Sequence, residues 1–175
     1  MTSRREVQRQ QERSYVAHFL AWFNRRQRSD FKVVSEPNPP EAIIQSSRTT
    51  RWVEVGAAFW TPAYARDLNS YATPGETHQP VGNGPFQNMD SRFAQSFATI
   101  LKKKLEKKSY IACREKYGPG YLVVPVYHPW FDGRTIAQMK QAWEEAHCKD
   151  RGCFRSVFIA YPSLNEVAFS RWRTR

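Results

Sequence analysis

The chain has 175 residues, 41% hydrophobic and 14% aromatic, enough for one packed core burying roughly 70% of the unfolded surface, too few for two full domains and too apolar for wholesale disorder. Its longest apolar run, Tyr121 to Tyr127, is interrupted by Pro125 and falls far short of the ~20 residues that cross a bilayer, so no membrane span is expected. Lys and Arg number 27 against 16 acids, and the net charge of +11 is concentrated in residues 1–30, in residues 102–116 and in the last arginines, Arg171, Arg173 and Arg175.

Aromatic and apolar residues recur at spacings of three and four through Tyr15, Phe19, Trp22 and Phe23, which predicts a helix from Glu6 to Arg26. Three short Val- and Ile-rich runs follow, Phe31 to Ser35, Ala42 to Gln45 and Arg51 to Ala57, separated by Pro37-Asn38-Pro39-Pro40 and by Ser46 to Thr50. They predict an antiparallel three-stranded meander. Proline and glycine punctuate residues 61–90, where an irregular excursion is expected. A second helix is predicted from Met89 or Asp90 to Arg114, then the turn Gly118-Pro119-Gly120, a buried strand from Tyr121 to Tyr127, a helix from Arg134 to His147, and a hairpin of Ser156 to Tyr161 with Val167 to Trp172. The order αβββαβαββ contains no repeat. It predicts one α/β domain over residues 1–175, with a mixed sheet whose middle holds Arg51–Ala57 and Tyr121–Tyr127.

Polar residues stand where this pattern calls for apolar ones. Glu12 falls inside the aromatic stripe of the first helix, about 60° from Tyr15. On the second helix, Lys104 and Lys108 both fall in the stripe defined by Phe93, Phe97, Ile100 and Leu101, where a buried ammonium needs an anionic partner. Glu54 interrupts Trp52-Val53-Glu54-Val55 in a strand interior, and Glu41 opens the preceding strand. If Gln45 pairs with Thr50, or Ser46 with Arg51, Glu41 and Glu54 share one face as direct or diagonal neighbours. Carboxylates that close repel unless a cation lies between them, so the pair predicts a hard-metal site.

With Pro40-Glu41, Glu54, the inward lysines and the leading αβββαβ order in view, residues 6–127 resemble the PD-(D/E)XK nuclease superfamily, the restriction-endonuclease-like fold. The resemblance implies a restriction-endonuclease-like core with a mixed central sheet, extended here by the last helix and hairpin. It implies that Glu41 and Glu54 hold Mg²⁺ or Mn²⁺ for phosphodiester hydrolysis, with Glu12 matching the accessory acid of the first helix. Gly56 stands where the motif lysine is usual. Some branches carry that lysine on the following helix, as Lys104 or Lys108 would here.

The clustered charge independently favours a polyanion, since each neutralised phosphate releases counterions. Nucleic acid is the expected partner, DNA ahead of RNA, with Arg51, Lys102, Lys103, Lys107, Arg171, Arg173 and Arg175 as phosphate contacts; a homodimer is also admitted. The alternative function is a catalytically inactive module on the same fold that binds nucleic acid or a protein partner, which Gly56 favours. A different site is conceivable at His128, Asp132 and His147, beyond the end of a strand, but no Ser or Cys nucleophile stands beside it. Arg51, Trp60, Tyr64, Arg66 and Tyr71 mix bases with aromatics as base-stacking surfaces do. Three cysteines, Cys113, Cys148 and Cys153, predict no disulfide framework, and His147, Cys148 and Cys153 lack the second pair of a zinc ribbon. The first residues hold no apolar run of signal-peptide length, so the cytoplasm is the expected compartment.

Overall fold

A capping box opens the first helix. The Ser3 hydroxyl accepts from the Glu6 amide, the Glu6 carboxylate accepts from the Ser3 amide, and α1 then runs Arg4–Gln27. The computed structural model describes residues 3–82, 87–146, 151–163 and 166–173. Within them the strands are β1 (Lys32–Ser35), β2 (Ala42–Gln45), β3 (Thr50–Val55), β4 (Ala58–Phe59), β5 (Gly120–Tyr127), β6 (Phe154–Ser163) and β7 (Glu166–Trp172). The further helices are α2 (Pro62–Ala72), α3 (Met89–Leu105), α4 (Ile111–Tyr117) and α5 (Gly133–Glu145), with a 3-10 turn at Lys108–Tyr110.

The strands form one open, mixed sheet in the order β1-β2-β3-β5-β6-β7, with β4 alongside the end of β5. The predicted meander is present: β1, β2 and β3 pair antiparallel. β3, β5 and β6 run parallel in the middle, and β7 returns antiparallel on β6. All residues of β5 from Gly120 to Val126 are buried, as a strand covered on both faces must be, which is why its sequence is a nearly unbroken apolar run.

The two faces carry separate cores. On one, Val16, Phe19, Leu20 and Phe23 of α1 pack against Ile44, Val53, Val55, Tyr121 and Phe158. Phe19 lies 5.1 Å from Phe158 and 5.3 Å from Phe23, ring centre to ring centre. Truncating such a ring costs about 3–5 kcal/mol, so α1 is firmly docked and carries Glu12 at a fixed place. On the other face, Phe93, Phe97 and Leu101 of α3 and Met139 and Trp143 of α5 cover Ile43, Trp52, Leu122 and Val124.

Two expectations change. Residues 61–90 are not irregular throughout, because Thr61 caps α2 by accepting from the Tyr64 amide, with Pro62 at the first helical position. The second helix does not continue from Met89 to Arg114. It stops at Leu105, Lys107 has extended backbone (φ −71°, ψ 110°), and the chain restarts as the 3-10 turn and α4. That break resets the helical phase, so Lys108 and Ile111 are exposed and leave the stripe that Lys104 occupies. Among the described residues no helix is long and apolar enough to cross a membrane.

Candidate active site

The turn between β2 and β3 sets the geometry. The Ser46 hydroxyl accepts from the Arg48 and Thr49 amides at 3.3 and 3.2 Å, which closes the turn and pairs Gln45 with Thr50 and Ala42 with Val53. Glu41 lies one step beyond the Ala42–Val53 pair and so falls opposite Glu54. A slip of one residue would send the two carboxyls to opposite faces.

Glu54 is 2% exposed, in the middle of a core strand. Its Oε1 accepts from Lys104 Nζ at 2.5 Å and from the Tyr110 hydroxyl at 2.7 Å. Its Oε2 is equally buried and has no hydrogen-bond partner among the described residues. A buried carboxylate is costly unless its oxygens are satisfied. Lys104, its side chain 25% exposed, also donates to the Val55 carbonyl at 3.2 Å. Burial, then the adjacent Glu54 charge, pushes the Tyr110 phenol far above its ordinary range, so it stays a donor to Glu54.

Gly56 explains how a helix-borne lysine gets there. A Cβ at this position would lie 2.9 Å from Lys104 Cε and 3.4 Å from its Cγ. The lysine stem therefore runs over the glycine and fills the space that a side chain at 56 would take.

The Glu41 carboxyl is half-buried and in hydrogen-bonding contact with that of Glu12, which α1 brings over the sheet end; Glu12 Oε1 in turn accepts from the Gln8 amide at 2.8 Å. Burial raises the Glu41 pKa from 4.5 to about 7, with the charges of Glu12 and Glu54 adding to the rise and Lys104 opposing it. The structure thus brings Glu12, Glu41, Glu54 and Lys104 into one electrostatic neighbourhood. Tyr110 completes it, a residue that sequence reasoning missed. On a continuous helix it would have fallen about 120° from Lys104, on the polar back beside Lys103, and only the break after Leu105 turns it under β3.

The other predicted residues lie elsewhere. Lys108 is exposed on the 3-10 turn. Lys102, Lys103 and Lys107 are exposed beside Lys104, with Lys102 facing Glu106 at 3.9 Å and Lys107 Nζ 5.0 Å from the centre of the Tyr110 ring. Arg51 is half-buried and spends its guanidinium on the carbonyls of Thr50 and Tyr117, at 2.9 and 3.1 Å, tying β3 to the end of α4. Arg171 and Arg173 are exposed on and after β7, three strands across the sheet from β3. Arg175, His147 and Cys148 lie outside the described residues.

His128 is buried, its Nε2 3.4 Å from Asp90 Oδ1, and burial holds its pKa below the ordinary value. Asp132 is occupied as the N-cap of α5, accepting from the Arg134 and Thr135 amides at 2.7 and 3.1 Å. Trp60 is buried, whereas Tyr71 is 79% exposed and Arg66 is exposed. Cys113 and Cys153 are free thiols.

Glu41, Glu54 through Oε2, and Glu12 are the residues able to hold a hard cation. Among the described residues no three His, Cys, Asp or Glu side chains stand grouped as a ready-made metal cage. Mg²⁺ does not need one, since it is commonly held by one or two carboxylates with water and substrate phosphate supplying the rest. The unpartnered Oε2 and the crowded Glu12–Glu41 pair are the donor set such an ion suits. No family model, no curated protein and no solved structure matches the chain.

Proposed function

We propose that this chain is a divalent-metal-dependent nuclease of the PD-(D/E)XK, restriction-endonuclease-like type, hydrolysing phosphodiester bonds of nucleic acid. The observation that carries the reading is Glu54: a carboxylate buried in a core strand, with Oε1 satisfied by Lys104 and Tyr110 and Oε2 left without a partner. Buried side-chain polar atoms are for the most part hydrogen-bonded, so an unpartnered carboxylate oxygen on a side chain 2% exposed is where a cation would find a ligand. The run α1-β1-β2-β3, then α3 and β5, with β4 and α2 added between β3 and α3, supports the reading, because αβββαβ is the order the resemblance implies.

Glu41 and Glu54, with Glu12 beside them, would hold Mg²⁺ or Mn²⁺, which when bound neutralises phosphate charge and acidifies a water. Tyr110 fixes the Glu54 carboxylate in rotation, and burial keeps bulk water from its oxygens. Lys104 orients the attacking water or stabilises the charge that grows on the phosphate. Lys102, Lys103 and Lys107 hold the flanking phosphates, and Arg171 and Arg173 add a remote contact for a long substrate.

The cleavage of single- and double-stranded DNA and RNA with Mg²⁺, with Mn²⁺ and with EDTA tests the reading, and the lysine makes it specific. Lys104→Ala is expected to slow divalent-dependent cleavage by about 10²–10³-fold. It also clears the space over Gly56. Gly56→Lys in that background is then expected to restore part of the lost rate, because the same ammonium returns from the strand instead of the helix. A double variant no faster than Lys104→Ala would contradict the role given to Lys104.

A second reading, a binding module without cleavage, is favoured by the direct Lys104–Glu54 bridge, which neutralises the acid without a metal. The two differ in divalent response. The nuclease is stabilised by the ion, whereas an ion-paired relic is indifferent to it.

A further inference from the structure

A cleft of about 290 Å³ opens beside the carboxylates, between α1, α2, α3 and the ends of β3, β4 and β5. Glu12 and Lys104 line it, so it is continuous with the candidate active site. One wall is aromatic. The Phe59 ring lies parallel to that of Tyr127, with centroids 4.7 Å apart and an interplanar angle of 8°, and Tyr15 meets Tyr127 edge-on at 6.3 Å. All three rings are half-buried rather than packed away.

The polar lining is made of amides, Gln8, Gln11 and Asn69. Gln8 is committed to Glu12. Gln11 on α1 and Asn69 on α2 are half-buried and their side-chain amides bond to none of the described residues. An aromatic wall supplies sequence-tolerant stacking, and an amide, donor and acceptor at once, matches the hydrogen-bonding edge of a base. The volume is near the lower end of small-ligand pockets, room for one base and part of its sugar and not for a base pair. In a regular duplex every base is stacked inside the helix, so only an unpaired or extruded base reaches such a wall.

We propose that this cleft receives one unpaired base of the substrate strand while the adjoining phosphate lies against Lys104, so that the chain prefers strands with unpaired nucleotides over regular duplex. The proposal rests on the nuclease reading for the position of the phosphate.

Its test is a binding measurement in EDTA, which reads the cleft without cleavage. Fluorescence anisotropy would compare a perfect duplex, the same duplex with a one-nucleotide bulge, and that bulge with an abasic nucleotide, which keeps backbone and charge and removes only the base. DNA and RNA versions of each strand show which sugar is accepted. The wild-type protein is expected to bind the base-bearing bulge about tenfold more tightly than the abasic bulge or the duplex. Phe59→Ala and Asn69→Ala are each expected to erase that difference; Asn69, on a peripheral helix, can be truncated without disturbing the core. Equal wild-type affinity for base-bearing and abasic bulges overturns the proposal, as does a preference that survives in Asn69→Ala. Divalent-dependent cleavage without base preference would leave the nuclease reading standing and this one fallen. Base preference without any cleavage would do the reverse.

Discussion

Glu54→Gln is expected to lower divalent-dependent cleavage by about 10³-fold while leaving nucleic-acid binding unchanged or tighter. The amide keeps the volume of the carboxylate and an acceptor oxygen for the Tyr110 hydroxyl, which sits 2.7 Å from Glu54 Oε1, so the buried phenol is not left without a partner. What is lost is the charge and the second carboxylate oxygen. Lys104 loses its counter-ion, but its partly exposed side chain lets the ammonium reach water. One negative charge fewer near the phosphate favours binding. Cleavage rates and anisotropy on the same oligonucleotide, with a thermal melt to verify folding, measure both halves. Undiminished cleavage by this variant would remove Glu54 from the mechanism.

Glu41→Gln is expected to stabilise the metal-free protein above pH 7 and to abolish its response to divalent ions. The Glu41 pKa is raised from 4.5 to about 7, so the folded state prefers the protonated acid. Below about pH 4.5 the group is protonated in both folded and unfolded chains and costs nothing. The cost grows between pH 4.5 and 7 and, with solvent screening of this half-buried carboxyl, levels off at about 1–2 kcal/mol above pH 7, where the folded protein must carry an ionised Glu41 beside Glu12 and Glu54. Glutamine mimics the protonated form and can still donate to Glu12, so the variant escapes that cost. Unfolding free energies at pH 4 and pH 8 are expected to be equal to wild type at the first and higher at the second. Mn²⁺ reverses the ranking, because binding requires the ionised carboxylate: it is expected to raise the wild-type Tm at pH 8, hardly at pH 5, and not at all in the variant.

Much of this site is legible in the sequence because strand periodicity and turn chemistry are local. The Ser46 to Thr49 turn fixes the pairing of Gln45 with Thr50, and once that register is set the facing of Glu41 and Glu54 follows from the period of two. Glu12 is legible for the same kind of reason, as a charge inside an aromatic stripe. Lys108 is not, because no Gly or Pro marks the break at Lys107; the helix ends where Leu105 and Tyr110 are both drawn into the core under Trp52, a tertiary cause. Tyr110 was hidden by the same break. α2 carried a readable signal in Thr61-Pro62, an N-cap followed by proline at the first helical position, but the prolines and glycines after Ala72 outweighed it. Arg51 illustrates the limit of charge counting, since its guanidinium serves backbone carbonyls rather than an outside partner.

A divalent cation shared by the carboxylates of Glu41 and Glu54, as the proposed function requires, is tested most directly by anomalous diffraction from crystals soaked in Mn²⁺ at pH 8. An anomalous peak is expected about 2.2 Å from Glu54 Oε2 and from a Glu41 carboxylate oxygen, with Lys104 still bonded to Glu54 Oε1. No peak at these carboxylates under saturating Mn²⁺, with the Lys104–Glu54 bridge intact and Glu54 Oε2 still without a partner, would contradict it.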